Sequence, residues 1–229
     1  MKAKKPIIEI REAWKTYDLG EVKVHALRGL NLNIYPGEFV AIQGPSGSGK
    51  STAMNLIGCL DIPTKGKIFL DGKDISKLYE SDLAQIRGQK IGFIFQKFNL
   101  IPTLSALDNV KLPMAFQGKS EEERTKRATE LLALVNLQDR MGHKPGELSG
   151  GQQQRVAIAR SLALNPQVIL ADEPTGNLDS TTGSSVMEFL RKLHKDEGKT
   201  IVMVTHDDKL AKRADRVEFL KDGVIVKVI

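Results

Sequence analysis

The stretch that constrains this chain most is Gly44-Pro45-Ser46-Gly47-Ser48-Gly49-Lys50-Ser51. It lies between a strand-type apolar run, Phe39-Val40-Ala41-Ile42, and a helix-compatible segment, Thr52-Ala53-Met54-Asn55-Leu56-Ile57. Glycines there let successive backbone N–H groups turn inward around phosphate oxygens, which residues with a Cβ do far less readily. The helix that follows offers its positive N-terminal end to the same anion. In the pattern G-x-x-x-x-G-K-[ST] the lysine, here Lys50, reaches the outer phosphates, and the hydroxyl, here of Ser51, ligates Mg²⁺. A flexible Gly/Ser linker fits poorly between two apolar segments. The stretch therefore predicts a nucleoside-triphosphate site bound by residues Gly44 through Thr52.

At 229 residues the chain can bury a full core, as one large domain or one with an inserted subdomain. No apolar run approaches the roughly 20 residues that a membrane-spanning helix needs. No apolar stretch follows Met1-Lys2-Ala3-Lys4-Lys5-Pro6, so no secretion signal is expected. The lone Cys59 excludes an internal disulfide and fits a reducing compartment. The expected location is the cytoplasm. A net charge of +6 leaves room for an anionic partner, but bases are interspersed with acids, as in Glu121-Glu122-Glu123 before Arg124-Thr125-Lys126-Arg127. Aromatics make up only 5%, too few for stacking platforms interleaved with charge, so no direct nucleic-acid contact is expected.

Residues 7–35 read as β-structure, with Leu30-Asn31-Leu32-Asn33-Ile34 alternating like a half-buried strand and Pro36-Gly37 turning the chain. The polar segment Lys15–Gly20 predicts a loop. Tyr17 within it is either a platform for a base or an ordinary surface tyrosine. Lys67-Ile68-Phe69-Leu70 is a strand entering the turn Asp71-Gly72. From about 103 to 165 the pattern is helical. Ser120 and Glu123 form a capping box, Leu131, Leu134 and Val135 follow at helical spacing, and another helix begins near Ser149-Gly150 and stops before Asn165-Pro166. From 167 strand and helix alternate again. Val186, Phe189, Leu190 and Leu193 form one apolar stripe, and Val217–Val226 reads as a hairpin about Asp222-Gly223. The fold class is α/β: a phosphate-loop core with a mostly parallel sheet, an N-terminal antiparallel β-subdomain and an inserted α-helical subdomain. The expected division is one domain over 1–229, with 1–96 and 166–229 as core and 97–165 as the helical insert.

Four apolar runs end in chemistry. Phe39–Ile42 ends in the glycine-rich loop, Ile91–Phe95 in Gln96, Val168–Ala171 in Asp172-Glu173, and Ile201–Val204 in Thr205-His206-Asp207. In open parallel α/β sheets ligands sit at the carboxyl ends of strands, so these groups are expected to converge. Phosphoryl transfer to water needs Mg²⁺, a positioned water and fixed charge. Asp172 suits Mg²⁺ and Glu173 suits polarising the water. Their other reading, caps for a following helix, is the weaker one, because buried strands rarely end in two uncompensated carboxylates. Gln96 offers Mg²⁺ an amide oxygen but would by default be a surface residue. His206 offers the γ-phosphate a hydrogen bond, although a lone histidine is usually structural, as His25, His143 and His194 are taken to be. No histidine stands at zinc-ligand spacing. Leu148-Ser149-Gly150-Gly151-Gln152 is either a common helix cap or a second anion site serving the nucleotide of another copy.

Together these motifs resemble the nucleotide-binding domain of ABC (ATP-binding cassette) transporters along essentially the whole chain. The order is Tyr17 in the base-stacking loop, Walker A at Gly44–Ser51, the Q-loop at Gln96, the signature Leu148–Gln152, Walker B at Val168–Glu173, the D-loop Asn177-Leu178-Asp179, and the switch histidine His206. The resemblance implies ATP and Mg²⁺, with Ser51, Gln96 and Asp172 toward the metal and Glu173 as general base, alongside Lys50, Gln96 and His206. It also implies a head-to-tail homodimer. Ser149 and Gly151, within a signature that continues through Gly150 and Gln152, would hold the ATP of the other copy, with Asp179 at the same interface. Permease subunits would dock near the Q-loop and the helical subdomain and hold the chain at the cytoplasmic face of the membrane. Ile57–Asp61, Phe95–Pro102 and Leu170–Asp179 look like the lipoprotein-releasing and macrolide-export branch. Lys97 departs from it, standing where many members have a second Gln. The alternatives are a mechanotransmitting cassette that moves no solute, and a soluble ABC protein acting on nucleic acid or ribosomes. The latter generally needs coiled-coil insertions or two cassettes, which 229 residues do not hold.

Overall fold

The computed structural model describes residues 5–229; the N-terminal reading that excludes a secretion signal rests mainly on Met1–Lys4, outside the described residues. The chain forms two units, Met1–Arg87 with Arg191–Ile229, and Gly88–Leu190.

In the first unit β1 (Ile8–Asp18) pairs antiparallel with β2 (Lys23–Ile34) and with β4 (Lys65–Leu70), which pairs with the short β5 (Lys73–Asp74). The loop expected at Lys15–Gly20 is a strand as far as Asp18. Tyr17 pairs with Val24 and Asp18 with Lys23, so the chain reverses only where the Leu19 N–H reaches the Val22 carbonyl at 3.0 Å. Cross-strand pairing overrides the polar composition that argued for a loop. β3 (Phe39–Gln43) is flanked by two parallel neighbours, β8 (Thr200–Thr205) and β9 (Arg216–Lys221), and β9 turns back into β10 (Val224–Val228). Phe39 to Ile42 and Ile201 to Val204 are all buried, as befits strands covered on both faces. α1 (Lys50–Ile57) leaves the glycine-rich loop directly.

In the second unit β6 (Ile91–Ile94) and β7 (Val168–Asp172) run parallel, Ile94 opposite Ala171. Between them lie α3 (Ala106–Phe116), α4 (Glu121–Leu134) and α5 (Gly150–Ser161). The Ser120–Glu123 capping box forms as expected. The buried stripe of α4 is Ala128, Leu131 and Leu132, continued by its C-cap Val135, whereas Leu134 is 43% exposed. Leu134 fits the helical spacing from Leu131, but the stripe that closes at i, i+3, i+4, i+7 starts from Ala128 and passes through Leu132. Two helices cross the unit boundary in sequence: α2 (Glu80–Lys90), unanticipated because it buries only Leu83, and α6 (Ser180–Glu197). α7 (Asp208–Ala211) is a single turn. Among the described residues no helix is long and apolar enough to cross a membrane.

Candidate functional site

The glycine-rich loop is built so that side chains stay out of it. Gly47 and Gly49 have φ of 77° and 101°, in the left-handed region that favours glycine. A Cβ at Gly44 would lie 2.1 Å from the Leu220 carbonyl oxygen, and one at Gly49 2.4 Å from that of Ala26. The loop is braced further where the Gly223 N–H donates to the Ser48 carbonyl at 3.0 Å. Lys50 is 8% exposed and its ammonium donates to the carbonyls of Gly44 and Pro45, both at 2.8 Å. Those bonds hold Lys50 back along the loop rather than out in solvent.

The arrangement fits a phosphate chain on three grounds. α3, α4, α5 and α7 each open with a side-chain cap (Ser105, Ser120, Ser149, Asp207), but α1 opens at Gly49 with none. A helix start without a side-chain cap is the kind of end that suits an anion. The Ser48 hydroxyl is buried and has no hydrogen-bond partner among the described residues. The Ser51 side chain, one residue into α1, is exposed.

Register carries two more groups in this unit. Gln43, just before the loop, stands opposite Thr205, so exposed His206 leaves β8 beside the start of the loop. Tyr17 is placed through β2: it pairs with Val24, two residues from the Ala26 carbonyl that abuts Gly49, roughly 7 Å along a strand. His194, taken as structural, is buried edge-on to the Phe39 ring at 5.8 Å. Its Nε2 lies 2.9 Å from Asp215 Oδ2.

The second unit holds the remaining groups. The Ile94–Ala171 pairing delivers exposed Gln96 and half-buried Asp172 and Glu173 to one sheet edge. Glu173 is left-handed at φ 44° although Pro174 follows, a costly conformation held by the bond from Gly176 N–H to its carbonyl at 3.0 Å. Gln96 lies against Gly176, where a Cβ would come within 2.7 Å of its Nε2, and its carbonyl accepts from Asn177 Nδ2 at 2.8 Å. Ser149 caps α5: its hydroxyl accepts from Gln152 N–H at 3.3 Å and its own N–H donates to Gln152 Oε1 at 2.8 Å. Gly150 packs so that a Cβ would stand 3.7 Å from both Phe98 and Leu178, and Gly151 so that one would meet Thr182 at 2.3 Å. The Asp179 carboxylate is engaged by the start of α6, accepting from Thr181 and Thr182 N–H at 3.1 and 3.0 Å. Hydrogen bonds from Thr182 and Thr181 hold its carboxyl below the usual range.

Sequence reasoning missed two residues here. Arg160 of α5 donates to the carbonyls of Asn99 and Phe98 at 2.5 and 2.8 Å, both left-handed residues just after Gln96. Asn109, fully buried, accepts from Ile101 N–H at 2.8 Å and donates to the Ser105 carbonyl at 3.0 Å. No local pattern marks either, since their partners lie elsewhere in the chain or in irregular backbone.

A parallel α/β framework carrying this loop at a strand end defines the class of P-loop nucleotide-binding proteins. Within that class, a family model described as ABC transporter matches residues 27–176, and the chain belongs to the ABC transporter family as one of its ATP-binding ATPase cassettes. It is 54% identical over 221 residues to an uncharacterized ABC transporter ATP-binding protein of Thermotoga maritima, covering 96% of this chain and 94% of that protein. It is 50% identical over 221 residues to the macrolide export ATP-binding/permease protein MacB of Brucella melitensis, covering 96% of this chain but 34% of MacB. Among solved structures, the cassette MJ0796, a Methanocaldococcus jannaschii protein, superposes with a TM-score of 0.90 at 52% identity over 97% of each chain. That structure is a dimer in a post-hydrolysis state bound to ADP and Pi.

Proposed function

We propose that this chain is the hydrolytic subunit of a membrane transporter, in which two copies close head to tail on two ATP molecules and drive a permease. The observation that carries the reading is the pair of parallel registers, β3 with β8 and β6 with β7. Each delivers phosphate-directed groups to a strand end next to an uncapped, glycine-lined loop or a carboxylate pair. The dimeric ADP- and Pi-bound relative supports two copies acting on nucleotide together, and the relative named as a macrolide export ATP-binding/permease protein supports an export-type permease partner; lipoprotein- or peptide-type substrates are our own reading of the sequence.

The roles follow from the chemistry. Residues Gly44–Thr52 bind the phosphates, Lys50 neutralises the outer ones, and Tyr17 stacks on the base. Glu173 takes the proton of the attacking water, Gln96 orients that water and His206 donates to the γ-phosphate. Ser149 through Gln152 and Asp179 complete the site of the other copy. Ser51, Asp172 and Gln96 are hard oxygen donors of the kind Mg²⁺ selects, and bound Mg²⁺ would neutralise charge developing on the phosphates. Residues 97–165 form the helical insert, which with the Q-loop meets the permease at the cytoplasmic face of the membrane.

The test is Glu173→Gln. It should slow ATP hydrolysis by about 10²–10⁴-fold, the usual contribution of a general base, and elute as a dimer from a sizing column with ATP. A variant that hydrolyses ATP at the wild-type rate, or stays monomeric in excess ATP, would falsify the composite-site reading.

A further inference from the structure

Lys15, Tyr17 and Asp61 form a closed cluster in the first unit. Lys15 Nζ donates to Asp61 Oδ1 at 2.5 Å and to the Ile62 carbonyl at 2.9 Å. The Tyr17 hydroxyl donates to Asp61 Oδ2 at 3.2 Å. The same ammonium stands 5.2 Å from the centroid of the Tyr17 ring. The two oxygens of one carboxylate thus hold two side chains of β1. The Lys15 and Asp61 side chains are only 13% and 25% exposed, so the pair is screened less than a surface ion pair. Asp61 is itself fixed. Its Oδ1 accepts from Ile62 N–H at 2.8 Å, and the following segment is laced to β1 by Thr64 N–H to the Trp14 carbonyl at 2.7 Å and Thr16 N–H to Thr64 Oγ1 at 3.0 Å. Asp61 follows α1, the helix whose opposite end starts in the phosphate loop.

We infer that Asp61 is a positioning residue for the nucleobase. It tethers the Tyr17 ring through its hydroxyl and holds Lys15 over one ring face, which reserves the other face for a purine. A ring already fixed is spared the ordering cost that a free side chain meets on binding. A cation on one face also draws electron density through the ring and favours an electron-rich base on the other. This rests on Tyr17 being the base platform. It assigns to Asp61 and Lys15 the part of nucleotide affinity that depends on the base and not on the phosphates.

ADP and inorganic pyrophosphate separate the two contributions, because pyrophosphate engages the phosphate loop alone. Calorimetric titration of both into the wild type, Asp61→Asn, Lys15→Met, Tyr17→Phe, Tyr17→Ala and the Asp61→Asn/Tyr17→Phe double variant is the experiment. Asp61→Asn and Tyr17→Phe should each weaken ADP by about fivefold, roughly the worth of one tethering hydrogen bond, and leave pyrophosphate unchanged. The double variant should be no weaker than the worse single one, and in turnover assays of Asp61→Asn KM for ATP should rise with kcat unchanged. Equal weakening of ADP and pyrophosphate by Asp61→Asn would assign the residue to general folding and overturn the inference. If Asp61→Asn and Tyr17→Phe bind ADP like the wild type while Tyr17→Ala does not, the base platform stands and the positioning role falls. If Tyr17→Ala binds ADP normally, the platform falls and this inference with it. Tyr17→Phe removes the same bond from the other partner, so the result does not hang on the folding of the Asp61 variant.

Discussion

Asp215 gathers three partners: the Phe39 N–H at 3.2 Å, His194 Nε2 at 2.9 Å and Lys195 Nζ at 3.3 Å. Desolvation pushes its carboxyl upward, but the Phe39 N–H and the charges of His194 and Lys195 outweigh it, so the carboxyl is held below its ordinary range. A depressed folded-state value means that the ionised form stabilises the fold. The contribution is present above the unfolded value of about 3.9 and fades as pH falls through the folded one. Asp215→Asn should therefore cost stability at neutral pH, by about 1 kcal/mol or less given its exposure. Urea denaturation at several pH values should show the gap to the wild type closing below pH ~4. The candidate residues most legible in the sequence, Glu173 and Lys50, stand within their own motifs. Asp61, Asn109 and Arg160 stayed hidden because their roles lie in side-chain bonds whose partners, 44 and 46 residues off for Asp61 and 61 and 62 for Arg160, or in irregular backbone for Asn109, leave no periodic trace.

Among the elements, α5 shows how one residue serves helix formation and ligand chemistry together. Ser149 is the N-cap that opens the helix, and by the proposed dimer it also faces the phosphates of the other copy's nucleotide. Ser149→Asp separates these duties, because aspartate caps as well as serine but brings negative charge to an anion site. Thermal unfolding should be nearly unchanged, while ATP-dependent dimerisation of the Glu173→Gln background should be lost on a sizing column. Ser149→Ala should instead cost about 1 kcal/mol of stability through the missing cap. Elements were legible where the pattern was extreme. β3, β7 and β8 are continuous apolar runs, and α4 and α5 announce themselves by caps. α2, with one buried residue, gave no amphipathic signal, and the end of β1 hid behind a polar stretch held by pairing with β2.

For the assembled molecule, head-to-tail closure makes a prediction that no single chain can meet. A Lys50→Ala chain lacks a working loop and keeps its signature, and a Ser149→Asp chain is the reverse. Alone, each should show little ATP turnover. Mixed, they form dimers with one doubly defective site and one intact site, so phosphate release should recover in the mixture. Turnover that stays flat on mixing would argue against a site shared between two copies.

The bracing of the phosphate loop also bears on when the site comes into being. Residues 44–51 pass close to the Leu220 carbonyl and are held by the bond from Gly223 and by the parallel alignment of β3 with β9. About 175 residues separate these partners, so closing that connection carries the entropy of a long loop and comes late among the contacts that form. During synthesis the glycine-rich stretch leaves the ribosome long before its walls do. Until the strand at Arg216–Lys221 and the turn after it arrive, the nascent chain carries the motif for nucleotide capture without the scaffold to perform it.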